Sequence, residues 1–264
     1  MNYGFIGLGN MSTAIIKGMY SHKAFDAHTI YGINRSPEKS TKLQKAYNIQ
    51  PMNSIAELMD HCDVVVLGVK PQNLLDILPE VRANLRPSQI IVSIAAGKTL
   101  SFFEEQLNGH ASIFRVMPNI NAVVGASTSC FSTNVTDIKQ ITIVREMFST
   151  IGSIEQLPEN LFSIFTTIGC ASPAFTYLYI DSLARAAVRE GMSKDMALKI
   201  AASSVLGSAK MVLESDEHPW ALIDQVCSPG GTTIQGVTSL QVNHFESTIY
   251  EAVAAVTNKD LALK

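Results

Sequence analysis

The alternation of short apolar runs with longer amphipathic stretches constrains this chain most. In the first 155 residues, runs rich in Val and Ile recur at Tyr3–Gly7, Thr29–Ile33, Val64–Val69, Ile90–Ile94 and Ile113–Val116, each bounded by turn residues. Such runs read as strands. The segments 10–22, 37–47, 71–84 and 99–107 between them are long enough for helices. Strands that are apolar on both faces must be covered on both faces, and an intervening helix returns the chain in the same direction. The expectation is an α/β fold, a doubly wound and mostly parallel sheet.

Past Pro158 the pattern changes. β-branched runs stop, and Ala, Leu and Met recur at helical spacing. Ser172-Pro173 reads as an N-cap followed by proline at the first helical position, opening a helix that stops at Gly191. Ser193 caps another helix reaching Leu213, and Ser247–Leu263 forms a last one. The expected division is residues 1–156 as a nucleotide-binding domain and 157–264 as an all-helical domain. Ala184, Ala186, Ala187, Ala201, Ala202 and Ala209 would let helices approach closely, and a homodimer through this half is expected.

Composition supports an interface. Of 264 residues, 47% are hydrophobic and only 16% charged, with mean hydropathy +0.18. A monomer needs more charge to cover itself. The net charge of −3 lacks the basic footprint of a nucleic-acid binder. Four cysteines (Cys62, Cys130, Cys170, Cys227) and six scattered histidines show neither CxxC nor HxxxH spacing, so neither a metal site nor a disulfide framework is expected. No signal peptide is visible, and a cytoplasmic location is expected. Residues 116–136 and 160–180 carry no charge, but Asn, Ser and Thr in the first and Gly169, Ser172 and Pro173 in the second argue for buried segments rather than membrane spans.

Gly7-Leu8-Gly9-Asn10-Met11-Ser12 follows the first strand and opens the first helix. In a Rossmann-type unit Gly7 makes the tight turn and Gly9 lets a pyrophosphate reach the backbone. The third position, Ser12 here, permits close helix–strand packing. The strand before and helix after distinguish this loop from an incidental glycine pair. At the end of the second strand an Asp or Glu would accept from the ribose hydroxyls; this chain has Asn34-Arg35-Ser36 instead. The Arg35 guanidinium and Ser36 hydroxyl suit a 2′-phosphate, which favours NADP(H), with NAD(H) the alternative. A merely solvated Arg35 is the plainer reading. Val69-Lys70-Pro71, Ala95-Ala96-Gly97 and Pro118-Asn119 end three further strands with small, proline or polar residues, the expected wall of a cofactor crevice.

The most informative short segment lies far downstream. Ser228-Pro229-Gly230-Gly231-Thr232-Thr233 leaves backbone N–H groups exposed at a helix start, where an anion is favoured. A plain turn explains its glycines but not the two threonines behind them.

Taken in order, Gly7-Leu8-Gly9-Asn10-Met11, Val69-Lys70-Pro71, Arg115-Val116-Met117-Pro118-Asn119, Ser172-Pro173-Ala174-Phe175 and Ser228–Thr233 resemble the pyrroline-5-carboxylate reductase family from end to end. The resemblance implies a Rossmann domain followed by a helical dimerisation domain, active sites between one subunit's nucleotide domain and helices of its partner, and assembly into rings of dimers. It also implies hydride transfer from a reduced nicotinamide to a cyclic imine carboxylate, giving proline. Ser228, Gly230, Gly231, Thr232 and Thr233 would bind the substrate, and the Thr233 hydroxyl would serve the ring nitrogen. The family's Gly-Ser-Gly-Pro-Ala-Tyr stands here as Cys170-Ala171-Ser172-Pro173-Ala174-Phe175, a bulkier turn without the tyrosine hydroxyl.

Two other families of function fit parts of the sequence. A β-hydroxyacid dehydrogenase shares the layout but places a lysine four residues before an asparagine; Lys194, Lys199 and Lys210 precede Leu198, Ser203 and Glu214. A diverged nucleotide-binding paralogue with a regulatory role, or one acting on another cyclic imine, is the alternative suggested by the altered turn.

Overall fold

A computed structural model describes residues 1–109 and 111–262, and shows two compact units: Met1–Cys170 with the last residues from Asp260, and Ala171–Lys259. The first unit begins β1 (Asn2–Ile6), α1 (Asn10–Ser21), β2 (Thr29–Ile33), α2 (Pro37–Tyr47), β3 (Gln50–Pro51) and α3 (Ile55–His61). It continues with β4 (Val64–Leu67), α4 (Leu74–Ala83), β5 (Ile90–Ser93), α5 (Leu100–Gln106) and β6 (Ser112–Met117). β7 (Ser127–Thr133), α6 (Ile138–Ser149), β8 (Gly152–Gln156) and α7 (Phe162–Phe165) complete it. The sheet order is β3-β2-β1-β4-β5-β6-β7-β8, parallel throughout except where β7 reverses against β6.

Alternation along each strand divides the core in two. Phe5, Val64, Val66, Val92 and Phe114 pack against Ile15, Ile16 and Met19 of α1 and Met147 and Phe148 of α6. Ile6, Val65, Leu67, Ile91 and Ile113 pack against Leu58 of α3, Leu78 of α4 and Phe103 of α5. Each fully buried side chain of this kind contributes about 1.5–3 kcal/mol, so both layers of helices are obligatory.

The five expected strands form within a residue or two of their predicted ends. β7 and β8 were not foreseen. Ser127-Thr-Ser-Cys-Phe-Ser-Thr133 is too polar to read as an interior strand. It is stable there because the buried hydroxyls of Ser127 and Ser129 bond each other (3.0 Å) and Ser127 Oγ also accepts from Asn119 N–H (3.1 Å). The connection from β6 to β7 holds only a 3₁₀ turn, Ile120–Val124, which is too short for a parallel crossover, so β7 runs antiparallel.

The expected start at Ser172 is corrected. α7 runs through a π-helical turn, Thr166–Ala171, into α8 (Ser172–Arg189). Ala171, at the capping position, is helical, so Ser172 continues a helix rather than opening one. In the second unit α9 (Lys194–Glu214), α10 (Pro219–Val226), α11 (Thr232–Val242) and α12 (Phe245–Leu261) follow. The expected end of the last helix at Leu263 lies outside the described residues.

Only a thin core holds this second unit: Ala184, Ala197 and Ala201 between α8 and α9, with Ile180 and Ala187 beside them. Among the described residues of α10, α11 and α12 none is fully buried, while Leu206, Leu213 and Tyr250 are 71%, 85% and 72% exposed. Residues 174–180, expected to be buried, are mostly exposed in the single chain. The stretches Glu159–Arg189 and Lys194–Glu214 are long and apolar enough to cross a membrane by length and composition. Such faces demand a partner, because scattered alanine contacts cannot offset the entropy of ordering five helices.

The first unit depends on one close approach. Ser12 is fully buried with its hydroxyl against Gly68; a Cβ on Gly68 would lie 2.1 Å from Ser12 Oγ and 2.7 Å from the Gly7 carbonyl oxygen. Gly68→Ala is expected to cost about 1–3 kcal/mol by overpacking, read as a lower urea midpoint. An unchanged midpoint would show that α1 does not press on the end of β4 here.

Candidate active site

Since β1, β2, β4, β5 and β6 are parallel, their carboxyl ends share one edge. Register sets Ile6 beside Ile33 and Leu67, and Leu67 beside Ser93. The structure therefore brings to one edge the glycine loop, Asn34-Arg35-Ser36, Val69-Lys70-Pro71, Ala95-Ala96-Gly97 and Pro118-Asn119. β1 lies between β2 and β4, so the chain winds in opposite directions from it. Open α/β sheets bind ligands at such a switch point.

Gly7 has φ +95°, and its N–H still donates to the Ile33 carbonyl (2.9 Å). Only glycine makes that turn without strain. Gly9 then caps α1, and no side chain accepts from the first turn, which also lacks an acidic residue. Asn10 is exposed and Met11 half-buried. The free N–H groups and the positive helix end suit a diphosphate. Leu8 is different: its side chain is 2% exposed in the core, and its N–H donates to Asn34 Oδ1 (3.1 Å). Asn34 Nδ2 reaches on to the Ser36 carbonyl (3.2 Å). One amide thus braces the phosphate loop against the loop after β2.

Arg35 is exposed and makes no ion pair among the described residues, leaving its guanidinium available. Ser36 is not. Its hydroxyl donates to the Glu38 carboxylate rather than capping α2. No acid ends β2 itself, but in the Ser36-Pro37-Glu38 order a first-turn carboxylate folds back onto the loop.

Val69 is half-buried, Lys70 exposed, and Pro71 opens a 3₁₀ turn leading into α4. Ala95 is buried, whereas Ala96 and Gly97 are exposed. Pro118 and Asn119 are buried, and Asn119 spends its side chain on the protein: Nδ2 donates to the Gly169 carbonyl (2.8 Å) and Oδ1 accepts from Asn121 N–H (3.1 Å). The Cys170 thiol, 3.7 Å from the Pro118 carbonyl, adds to the same junction. Burial, with Asp260 adding to it, pushes that thiol up to about 11, so it stays protonated and packs as a small side chain. Arg115 is also structural. It is 3% exposed, stacks 4.1 Å over the Phe162 ring and pairs with Glu159 (2.7 Å), whose Oε1 accepts from Leu100 N–H (2.8 Å).

In the second unit, Ser228–Gly231 forms a tight turn. Gly231 N–H donates to the Ser228 carbonyl (2.9 Å), Gly230 is left-handed (φ +71°), and the Ser228 hydroxyl lies where a Gly231 side chain would stand. Gly231 then caps α11 with no side-chain acceptor and no acid in the first turn. Thr232 and Thr233 are exposed at that helix start. The start of α11 repeats the glycine-capped design of α1, offering amides and hydroxyls to a small anion. Among the described residues no three His, Cys, Asp or Glu side chains gather as metal ligands.

Residues 159–263 match the model for pyrroline-5-carboxylate reductase dimerisation, and residues 2–97 one described as NADP oxidoreductase, coenzyme F420-dependent. The chain is 36% identical over 257 residues to pyrroline-5-carboxylate reductase of Escherichia coli (97% of this chain, 96% of the relative) and 35% identical over 265 residues to that of Methanosarcina acetivorans (99% and 98%). A solved pyrroline-5-carboxylate reductase from Coxiella burnetii superposes with TM-score 0.94 at 28% identity, covering 100% of this chain and 98% of that one. The Plasmodium falciparum pyrroline carboxylate reductase with NADP bound gives 0.84 at 30% identity, covering 99% and 97%.

Asn119→Ala would remove the amide that donates to the buried Gly169 carbonyl and accepts from Asn121 N–H. A loss of about 1–3 kcal/mol is expected, measured by urea denaturation; wild-type stability would show that the amide does not hold the π-turn.

Proposed function

The chain belongs to the pyrroline-5-carboxylate reductase family, and we propose that it reduces pyrroline-5-carboxylate to proline with NADPH in preference to NADH. The observation carrying this reading is the Gly231-capped start of α11 with Thr232 and Thr233 exposed on it, a station for a small carboxylate with a hydroxyl to spare. Gly9, Asn10 and Met11 hold the diphosphate on the turn made by Gly7, while Leu8, whose side chain is in the core and whose N–H is taken by Asn34, fixes the loop that carries them. Asn34, Arg35 and Ser36 meet the adenosine ribose, and Val69, Lys70, Pro71, Ala95, Ala96, Gly97, Pro118 and Asn119 wall the crevice. The uncapped α1 start and the available Arg35 fit a phosphorylated dinucleotide.

The reduced nicotinamide supplies the hydride that the imine carbon accepts. The protein's residues do the rest. The amides after Gly230 hold the substrate carboxylate, and the Thr233 hydroxyl orients the ring nitrogen, favouring its protonated form. No nucleophile is needed.

Residues 1–156 serve the cofactor and 157–264 dimerisation and substrate. The dimerisation domain accounts for the apolar helix faces, so no membrane role is assigned to them, and rings of dimers extend the same proposal. A cytoplasmic location is part of the same proposal, in keeping with the free cysteines Cys62, Cys130, Cys170 and Cys227. The diverged-paralogue reading rests on the Cys170–Ser172 turn.

Mixing the protein with pyrroline-5-carboxylate and NADPH should lower absorbance at 340 nm as proline forms; NADPH bound but never oxidised would select the paralogue instead. Thr233→Val is expected to lower kcat/KM about ten- to a hundredfold, the worth of a hydrogen bond to a charged group, and wild-type kinetics would remove Thr233 from the site. Arg35→Ala should weaken NADPH about tenfold and leave NADH within twofold by direct titration; equal losses would undo the 2′-phosphate assignment.

A further inference from the structure

We propose that Glu38 is the cofactor-selecting residue of this chain, competing with a 2′-phosphate for the Ser36 hydroxyl and thereby keeping NADH usable. The proposal rests on the dinucleotide reading above and goes beyond it, because that reading assigned the ribose end to Asn34, Arg35 and Ser36 alone.

Three observations carry it. Ser36 stands at the N-cap of α2, where a serine hydroxyl ordinarily accepts from a first-turn N–H; here it makes no such bond and donates to the Glu38 carboxylate. The loop is also held in place. Asn34 ties the Ser36 carbonyl to the glycine loop, and Lys39 N–H donates to the same carbonyl (3.3 Å), so the carboxylate stands one hydrogen bond from a braced backbone. Finally, Glu38 is exposed and lies in the first turn of α2. It can turn away while the positive helix end still favours its charge.

The chemistry follows from what each cofactor brings. A ribose 2′-hydroxyl has a proton to give, and a carboxylate here can accept it, as an acid after the second strand does in NAD-binding units. A 2′-phosphate has none to give at neutral pH and repels a neighbouring carboxylate. It pairs with Arg35 and takes the Ser36 hydroxyl only after Glu38 has let go. Arg35 and Glu38 therefore pull the preference in opposite directions, and their balance sets how far NADPH is favoured.

The test measures equilibrium binding of the two adenine halves, 2′,5′-ADP and 5′-ADP, to the full-length protein by calorimetry at one fixed salt concentration. Glu38→Gln should tighten 2′,5′-ADP about five- to tenfold, the scale of one like-charge contact removed near a surface, and should weaken 5′-ADP or leave it unchanged. Ser36→Ala should weaken 2′,5′-ADP, since the phosphate loses a donor. An unchanged ratio of the two ligands in Glu38→Gln, or an equal loss of both, overturns the proposal. Should Glu38→Gln fail to fold, Glu38→Asp keeps the helix-start charge but shortens the reach to Ser36. A shift of the ratio toward 2′,5′-ADP is expected there as well, and no shift overturns the proposal. Wild-type protein that binds neither adenine half would instead overturn the dinucleotide reading.

Discussion

Covering both faces of a parallel sheet is the constraint on which the rest of the first unit depends. Val64 and Val66 face one layer of helices while Val65 and Leu67 face the other, so neither face can be left to solvent. Helices on both sides force parallel crossovers, and parallel strands send all their carboxyl ends to the same edge. The glycine loop, the loop after β2 and the ends of β4, β5 and β6 meet there for that reason. The close approach of Ser12 to Gly68 sets the height at which α1 begins, and so where its free amides stand.

Both candidate stations use the same electrostatic device. α1 and α11 each start on a glycine, with no capping side chain and no first-turn acid. At four other helices side chains take those amides: Ser54 at α3, Thr99 at α5, Asp137 at α6 and His218 at α10. Helices α2, α4 and α9 lack a side-chain cap but carry Glu38, Asp76 and Asp195 in the first turn. A helix that leaves them free is less stable by the worth of a cap and retains its capacity for an anion. The polar side chains around the first station mostly hold loops in place. Asn34 braces two loops, and Asn119 pins the π-turn to the end of β6.

The helical unit poses the opposite problem. Its helices have more apolar surface than the single chain can bury, with three alanines as the buried core. The low charge content of the sequence already pointed that way, and the match of residues 159–263 to a dimerisation domain gives the reason. Small residues at Ala184, Ala197 and Ala201 let α8 and α9 approach closely, while larger side chains such as Leu206 and Leu213 stay exposed in the single chain.

Much of this was legible in the sequence, because hydrophobic periodicity and glycine placement are local properties. The five Val- and Ile-rich strands, the first-unit helices of 10–22 and 37–47, the two glycine loops and the change to helices past Pro158 could all be read from residues near one another in the chain. What escaped depended on partners distant in sequence or on side-chain choice. β7 reads only as part of an uncharged buried segment, with no strand signature, until its serines find each other and Asn119. Ser172 reads as a helix start until α7 and the π-turn run into it. Ser36 reads as a free hydroxyl until Glu38 folds back to claim it. Sequence alone determined the fold class, the two glycine-led helix starts and a chain short of surface charge, since burial pattern and backbone freedom follow from residue type. Only the tertiary structure decided which polar groups remain available to a ligand, because a hydrogen bond is assigned by where its partner stands in space.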